Sequence, residues 1–224
     1  MKKLISGIKE YFLWLAIFSM FICMLPTTSA GASSQRYYAG YYYGGAKWGV
    51  TAKIYTIDAS IPFWNGYAEW ITVIISYSYE YFIQLGYFKQ WKLWIERNFY
   101  VETKSAYGYQ QKKVDGKPEA RHTYTYVIAH AQKADPELWR VTIREGAQEL
   151  YSGEVRVKPY EPEDLQAFVE TTTTKICIDG SHFSDICYFD GRSWPYWDKH
   201  LPRADSPYYL YEVSHHEFDA HGGG

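Results

Sequence analysis

Two polar residues lie inside apolar, strand-like segments of this sequence. Gln84 is the centre of residues 81–87, which read Tyr-Phe-Ile-Gln-Leu-Gly-Tyr, and Glu170 follows the apolar run 167–169. A carboxylate can take up a proton and return it during a reaction. A carboxamide N–H can donate a hydrogen bond to a developing negative charge without changing its own charge. Gln84 and Glu170 are therefore the candidate chemical groups of the chain.

Both residues also have an ordinary structural interpretation. Side chains alternate between faces along a strand, so Gln84 shares its face with Phe82 and Gly86, and the glycine predicts open space beside the amide. Gln84 could instead be a buried amide whose hydrogen bonds are made to a neighbouring strand, and Glu170 could lie on a solvent-exposed face.

The sequence contains no G-x-S-x-G, no H-E-x-x-H and no phosphate-binding glycine loop, which leaves serine nucleophiles and zinc peptidase chemistry without local support.

The rest of the chain predicts an all-β, two-layer antiparallel sandwich that would position these groups. Aromatic residues make up 20% of the sequence and include 24 tyrosines. They recur in short runs separated by Gly, Pro, Asp or Asn, and long amphipathic helical patterns are missing. Evenly spaced short strands are typical of sandwiches and barrels. The predicted strands are 37–43, 50–57, 68–77, 81–87, 98–104, 123–129, 138–143, 148–157, 165–178, 186–189 and 208–216.

The first thirty residues have the pattern of a secretory signal peptide. Three lysines come first, an apolar stretch covers residues 11–25, and small residues lead to Ala30. The apolar stretch is shorter than the about 20 residues of a membrane-spanning helix, although an uncleaved anchor is the competing interpretation. We therefore expect a secreted, extracellular protein with residues 1–30 as signal peptide and residues 33–224 as a single domain.

The net charge of the exported chain limits which classes of partner it could bind. Residues 1–30 contain three of the 23 basic and one of the 25 acidic residues, which leaves a formal charge of about −4. This charge favours neither a nucleic-acid partner nor, after leader cleavage, a membrane partner.

Cys177 and Cys187 remain after cleavage, ten positions apart. In an oxidising compartment we expect them to form a disulfide, with two free thiols as the alternative.

Three segments together resemble the glutamic peptidases. They are Tyr-Ala-Glu-Trp-Ile-Thr-Val at 67–73, Phe-Ile-Gln-Leu-Gly-Tyr at 82–87 and Ala-Phe-Val-Glu at 167–170. Their order is similar to that of the corresponding segments in the eqolisins and the neprosin-like branch. The segment around Gln84 resembles the first catalytic strand of the eqolisins, and the segment around Glu170 is similar to the second strand of the neprosins. Glu69 is given a supporting or structural role.

The resemblance implies a concanavalin A-like jelly roll and a secreted endopeptidase with no cofactor and no metal. Glu170 would act as general base and then as acid, and Gln84 would stabilise the oxyanion. The substrate would be a polypeptide, Trp70 is a candidate for binding it, and acidic pH would favour the reaction.

Three other interpretations remain open from the sequence. The tail residues His215, Glu217, Asp219 and His221 would point the same way in an extended strand and could bind a metal. The abundance of aromatic residues suits a carbohydrate-binding or glycoside-cleaving sandwich, for which a groove lined by two carboxylates is the signature. A non-catalytic binding module would leave Gln84 and Glu170 apart.

Overall fold

Within residues 35–76, 78, 80–132, 135–158 and 161–224, which the computed structural model describes, the chain forms fourteen β-strands and no helix. The strands are β1 Tyr37–Gly44, β2 Gly49–Tyr55, β3 Gly66–Ser76, β4 Tyr81–Trp91, β5 Ile95–Ser105, β6 Gly108–Val114, β7 Thr123–Gln132, β8 Asp135–Glu145, β9 Gln148–Arg156, β10 Asp164–Thr171, β11 Ser181–Tyr188, β12 Leu201–Ala204, β13 Tyr209–Ser214 and β14 Glu217–His221. No described segment is a helix long and apolar enough to span a bilayer.

The strands form two seven-stranded antiparallel sheets. Sheet A has the order β12-β1-β10-β3-β4-β5-β6, and sheet B has the order β13-β14-β11-β2-β7-β8-β9. The predicted all-β sandwich is therefore confirmed. Residues 35–224 form one compact unit, whereas the predicted signal peptide lies outside the described residues.

The period-two alternation of apolar side chains decides which face of each strand is buried between the sheets. In β3, Tyr67, Ile71 and Val73 point into the main core, where they join Ile83 and Leu85 of β4. The intervening residues of the same strands form the outer face of sheet A. Each polar residue of that face owes its position to this alternation.

The outer face of sheet A has an aromatic floor of its own. Trp70, Tyr100 and Phe168 come from β3, β5 and β10 and are almost completely buried. The Trp70 and Phe168 rings are 5.4 Å apart. Tyr38 and Phe88 pack against this cluster. The floor consequently gives rigid support to polar side chains on the neighbouring positions.

Three strands were not predicted from the sequence, and the predicted bounds of the other strands differ most from the structure at β10 and β11. β6 and β12 are edge strands with mostly exposed residues, so they lack the apolar alternation that marks a half-buried strand. β14, which contains the tail residues Glu217, Asp219 and His221, pairs with β11 and β13. β10 ends at Thr171 rather than residue 178, and β11 begins at Ser181 rather than residue 186.

The predicted disulfide is absent, since both described cysteines are free thiols. Cys177 lies before β11 and is exposed, whereas Cys187 lies near the far end of that strand and is buried. The six residue steps from Ser181 to Cys187 extend over roughly 20 Å at the rise of a strand. A disulfide requires Cα atoms within about 7 Å, so the extended β11 separates the two thiols.

Candidate active site

Strand register places Gln84 and Glu170 on the outer face of sheet A, two strands apart. Glu170 of β10 is opposite Ala68 of β3, and Gln84 of β4 is opposite Thr72 of the same strand. The two residues are therefore also offset by four positions along β3, which is roughly 13 Å of strand. Neither residue is sealed in the core, since both are partly exposed.

The carboxamide of Gln84 is held from both ends. Thr72 Oγ1 donates a hydrogen bond to Gln84 Oε1 at 3.3 Å. Gln84 Nε2 donates to the hydroxyl of Tyr100 at 2.5 Å. Burial raises the pKa of Tyr100 well above its ordinary value, so the phenol is neutral. A carboxamide nitrogen carries two hydrogens, and among the described residues only the Tyr100 hydroxyl accepts from Gln84 Nε2, which leaves its second N–H available to another acceptor.

Glu170 forms an ion pair with Arg36, the residue that precedes β1. Arg36 Nη1 lies 2.5 Å from Glu170 Oε1. The Glu170 side chain is 13% exposed and the Arg36 side chain is 55% exposed. The carboxylate is therefore mostly buried, and the guanidinium covers it on the solvent side. Trp70 Nε1 is a buried donor with no hydrogen-bond partner among the described residues, and it lies near enough to Glu170 to influence its titration.

Two opposing effects set the pKa of Glu170. Burial raises the pKa above its ordinary value, and this effect is the larger one. The positive charge of Arg36 lowers the pKa, whereas the negative charge of Glu102 raises it further. The result is a carboxyl group whose pKa is raised, and a raised pKa near the working pH is what a general base that later becomes an acid requires.

We expect the substitution Arg36→Gln to raise the pKa of Glu170, because it removes the cation that favours the ionised form. A ¹³C NMR titration of the glutamate carboxyl groups would measure the shift. Arg140→Gln, which removes an exposed arginine from sheet B, is the matched control. An unchanged Glu170 titration in the Arg36 variant would contradict the ion pair.

Four polar residues separate two cavities on the outer face of sheet A. One cavity has a volume of about 290 Å³ and extends towards Gln90 and Lys92 at the β4–β5 turn. The other has about 260 Å³ and extends towards Ile74 and Phe82 at the opposite end of these strands. The residues that line both cavities are Arg36, Gln84, Glu102 and Glu170. An extended chain lying across these groups would have a cavity on either side of them.

Trp70, the residue expected to bind substrate, lies on the floor beneath these cavities. It lines the smaller cavity, but only 4% of it is exposed.

The space expected beside Gln84 at Gly86 is not open, since a Cβ there would lie 2.1 Å from the carbonyl oxygen of Glu69 and 2.7 Å from the Cβ of Trp70. Gly86 is needed because strand β3 approaches closely.

Sequence reasoning did not select Arg36, Glu102 or Tyr100 as site residues. Glu102 is directly opposite Gln84 in the β4–β5 register. The signal that could have found it is the alternation of β5, which places Glu102 and Tyr100 on one face of a strand that follows Gln84 in sequence. Arg36 carried no such signal, because its partner is 134 positions away.

The tail residues considered for a metal have other partners. His182 Nδ1 lies 2.7 Å from Asp219 Oδ1, and His221 Nδ1 lies 3.5 Å from Asp179 Oδ1. His215 faces His200 at 3.0 Å. No group of three or more His, Cys, Asp or Glu side chains in the part of the chain that the structure describes is arranged to hold a metal ion.

Solved structures resemble this chain in fold. Two crystal structures of scytalido-glutamic peptidase with transition-state analogues superpose with a TM-score of 0.63 at 9% and 10% identity, and each match covers 84% of this chain and 98% of the other. The chain has the fold of the glutamic peptidases. SCP-B, a member of the eqolisin family solved with the tripeptide Ala-Ile-His, matches with a TM-score of 0.57, 9% identity and the same coverage. No family model and no curated protein sequence matches.

Proposed function

We propose that this protein is an exported endopeptidase that hydrolyses peptide bonds at acidic pH with Glu170 and Gln84. One observation supports the proposal most directly. On a glutamic-peptidase fold, the predicted acid and the predicted amide both line the boundary between two adjoining cavities. A peptidase needs its reacting groups in the middle of the substrate, with room for the chain on both sides.

The reaction would divide between the two side chains. Ionised Glu170 takes a proton from the attacking water and later gives it to the leaving amine. The free N–H of Gln84 donates a hydrogen bond to the oxyanion that forms as the carbonyl carbon becomes tetrahedral. Since Thr72 and Tyr100 already orient the amide, little reorganisation accompanies the reaction.

The proposal is tested by incubating the purified exported protein with a reduced and alkylated protein from about pH 3 to about pH 8, with products identified by mass spectrometry. Internal peptide cleavage that is fastest at acidic pH is expected. Gln84→Leu should lower kcat by about 10²–10³, the usual effect of losing one oxyanion donor. Glu154→Gln, on the exposed face of β9 in sheet B, is the control. Failure of the unmodified protein to cleave any peptide bond would reject the proposal.

Glycoside hydrolysis is a second candidate function, and the presence of Glu102 favours it. Glu102 and Glu170 give the groove two carboxyl groups, and a pair of carboxyl groups is what glycosidases use. The same protein sample incubated with soluble polysaccharides would distinguish the two functions. Release of reducing ends without peptide cleavage would establish the glycosidase in place of the peptidase.

A further inference from the structure

Two short segments at one end of sheet A expose a group of apolar side chains. Among the described residues, thirteen large apolar or aromatic side chains are exposed, and five of them lie in the β2–β3 connection or where β5 follows the β4–β5 turn. Exposed apolar side chains that occur singly need no explanation, but a group of them marks a binding surface. The five residues, here called the apolar patch, are each at least 50% exposed and are Phe63, Trp64, Leu93, Trp94 and Ile95.

Hydrogen bonds and ring packing hold the two segments of the apolar patch next to each other. The backbone N–H of Trp91, the last residue of β4, donates to the carbonyl oxygen of Asn65 at 2.8 Å. The Phe63 ring packs edge-on against the Trp91 ring, with centroids 5.7 Å apart. The backbone N–H of Lys92 donates to the carbonyl oxygen of Trp94 at 3.1 Å and closes the turn. The patch is therefore one surface built from two loops.

Trp64 is held on this surface in a strained backbone conformation. Its φ of 61° lies in the left-handed region, which a bulky side chain rarely adopts. The side-chain amide of Asn65 donates to the carbonyl oxygen of Phe63 at 2.9 Å, and the backbone N–H of Asn65 donates to that of Pro62 at 3.1 Å. Burial of the indole does not offset the strain, because Trp64 is 61% exposed. Strain of this kind clusters at ligand-binding sites.

The apolar patch adjoins the larger cavity of the groove. Lys92 lines that cavity and directly precedes Leu93. Gly66 and Thr172 line it as well, and the Thr172 hydroxyl donates to the side-chain oxygen of Asn65 at 3.1 Å. The loops that carry the patch are thus joined to the cavity wall. An extended chain that occupies both cavities and continues past Lys92 reaches the patch.

Strand register gives the spacing between the apolar patch and Glu170. Glu170 is opposite Ala68 of β3, and Ala68 is opposite Phe88 of β4. Trp64 lies four positions before Ala68, and Leu93 lies five positions after Phe88. At the rise of a strand these separations are at most roughly 13–17 Å. A substrate in extended conformation has the same rise, so the patch is level with residues about four to six positions from the bond at Glu170.

We propose that the apolar patch binds an apolar segment of the substrate polypeptide about four to six residues from the cleaved bond, an inference that rests on the proposed peptidase function. Unfolded polypeptides expose apolar side chains that folded proteins bury, and contact with the patch removes both surfaces from water. The patch touches none of the reacting groups, so its contacts are equally strong before and during the reaction. They therefore lower KM and leave kcat unchanged.

Peptides that differ only at a distance from the cleaved bond test the proposal. Each peptide carries one common cleaved sequence, extended on either side by about six residues, which are Leu and Phe in one set and Ser and Thr in the other. The unmodified protein should cleave the apolar set with a KM roughly tenfold lower, the effect of burying about one apolar side chain. In a Leu93→Ser, Trp94→Ser double variant the two sets should have the same KM.

A matched double variant controls for the loss of exposed apolar surface. Tyr211 and Val213 are exposed on β13 of sheet B, and the Tyr211→Ser, Val213→Ser variant should keep the difference in KM between the two peptide sets. Circular dichroism would show that both double variants are folded. Equal KM values for the two sets in the unmodified protein, or the same loss of the difference in the control, would overturn the inference.

A binding measurement keeps the inference separate from the function on which it rests. By fluorescence anisotropy, Glu170→Gln protein should bind the labelled apolar peptide roughly tenfold more tightly than the polar one, and the substitutions at Leu93 and Trp94 should abolish the preference. Patch-dependent binding by a protein that cleaves no peptide would reject the proposed function and leave the patch assigned. Sedimentation with vesicles of phosphatidylcholine and phosphatidylglycerol should leave the protein in solution. Vesicle binding that the Leu93→Ser, Trp94→Ser variant loses would assign the patch to a membrane surface and overturn the inference.

Discussion

Replacing Glu170 by glutamine is expected to lower kcat for peptide hydrolysis by about 10²–10⁴, the contribution of a positioned general acid–base group. Glutamine has nearly the same shape, and its carbonyl oxygen can still accept the hydrogen bond from Arg36 that Glu170 receives. The substitution therefore removes proton transfer while it leaves the packing of β10 in place. KM should change little if the binding cavities are intact.

Steady-state kinetics at the pH of maximal activity would measure this loss, and circular dichroism would show that the variant is folded. Glu154→Gln makes the same chemical change on sheet B and should retain full activity. If Glu170→Gln hydrolyses peptides at the rate of the unmodified protein, Glu170 is not the base, and the assignment of this groove to peptidase chemistry loses its principal group.

The second large effect concerns stability and a carboxyl group inside the core. Glu69 is 0% exposed and points between the sheets. Ser181 Oγ donates to its Oε1 at 2.7 Å, whereas Oε2 has no hydrogen-bond partner among the described residues. Burial raises the pKa of Glu69 to about 8, and the hydrogen bond from Ser181 offsets only part of the shift. The group is therefore protonated in the folded protein at neutral pH.

This raised pKa makes the fold more stable in acid. Below about pH 4.5, the ordinary value, Glu69 is protonated in both the folded and the unfolded chain and costs no stability. Between about pH 4.5 and about pH 8 only the unfolded chain releases the proton, so stability falls by at most about 1.4 kcal/mol per pH unit. The total cost above about pH 8 is roughly 3–5 kcal/mol.

Glu69→Gln should remove this dependence, because the amide does not ionise. We expect the variant to differ little from the unmodified protein near about pH 4 and to be more stable by roughly 3–5 kcal/mol near about pH 8, less any cost of its buried N–H groups. Urea unfolding at several pH values would measure the difference. Parallel stability–pH curves for the two proteins would show that Glu69 does not carry the effect.

Local sequence pattern was sufficient for the architecture and for the faces of the main strands. The alternation in residues 81–87 predicted that Gln84 shares one face with Phe82 and Gly86, and Gln84 and Glu170 both lie on the outer face of sheet A. Where the apolar alternation was weak, it failed to predict the strand or its bounds. β6 is polar because it is an edge strand, and β11 begins earlier than expected because its first residues alternate with polar ones.

The sequence by itself determined an all-β sandwich, a candidate acid and a candidate amide, since strand periodicity and side-chain chemistry are properties of a few consecutive residues. Only the tertiary structure decided that Arg36 pairs with Glu170, that Tyr100 and Thr72 orient Gln84, and that Glu102 lies beside it. The reason is that a side chain's neighbours across a sheet depend on strand order and register. These are fixed by the packing of the whole domain.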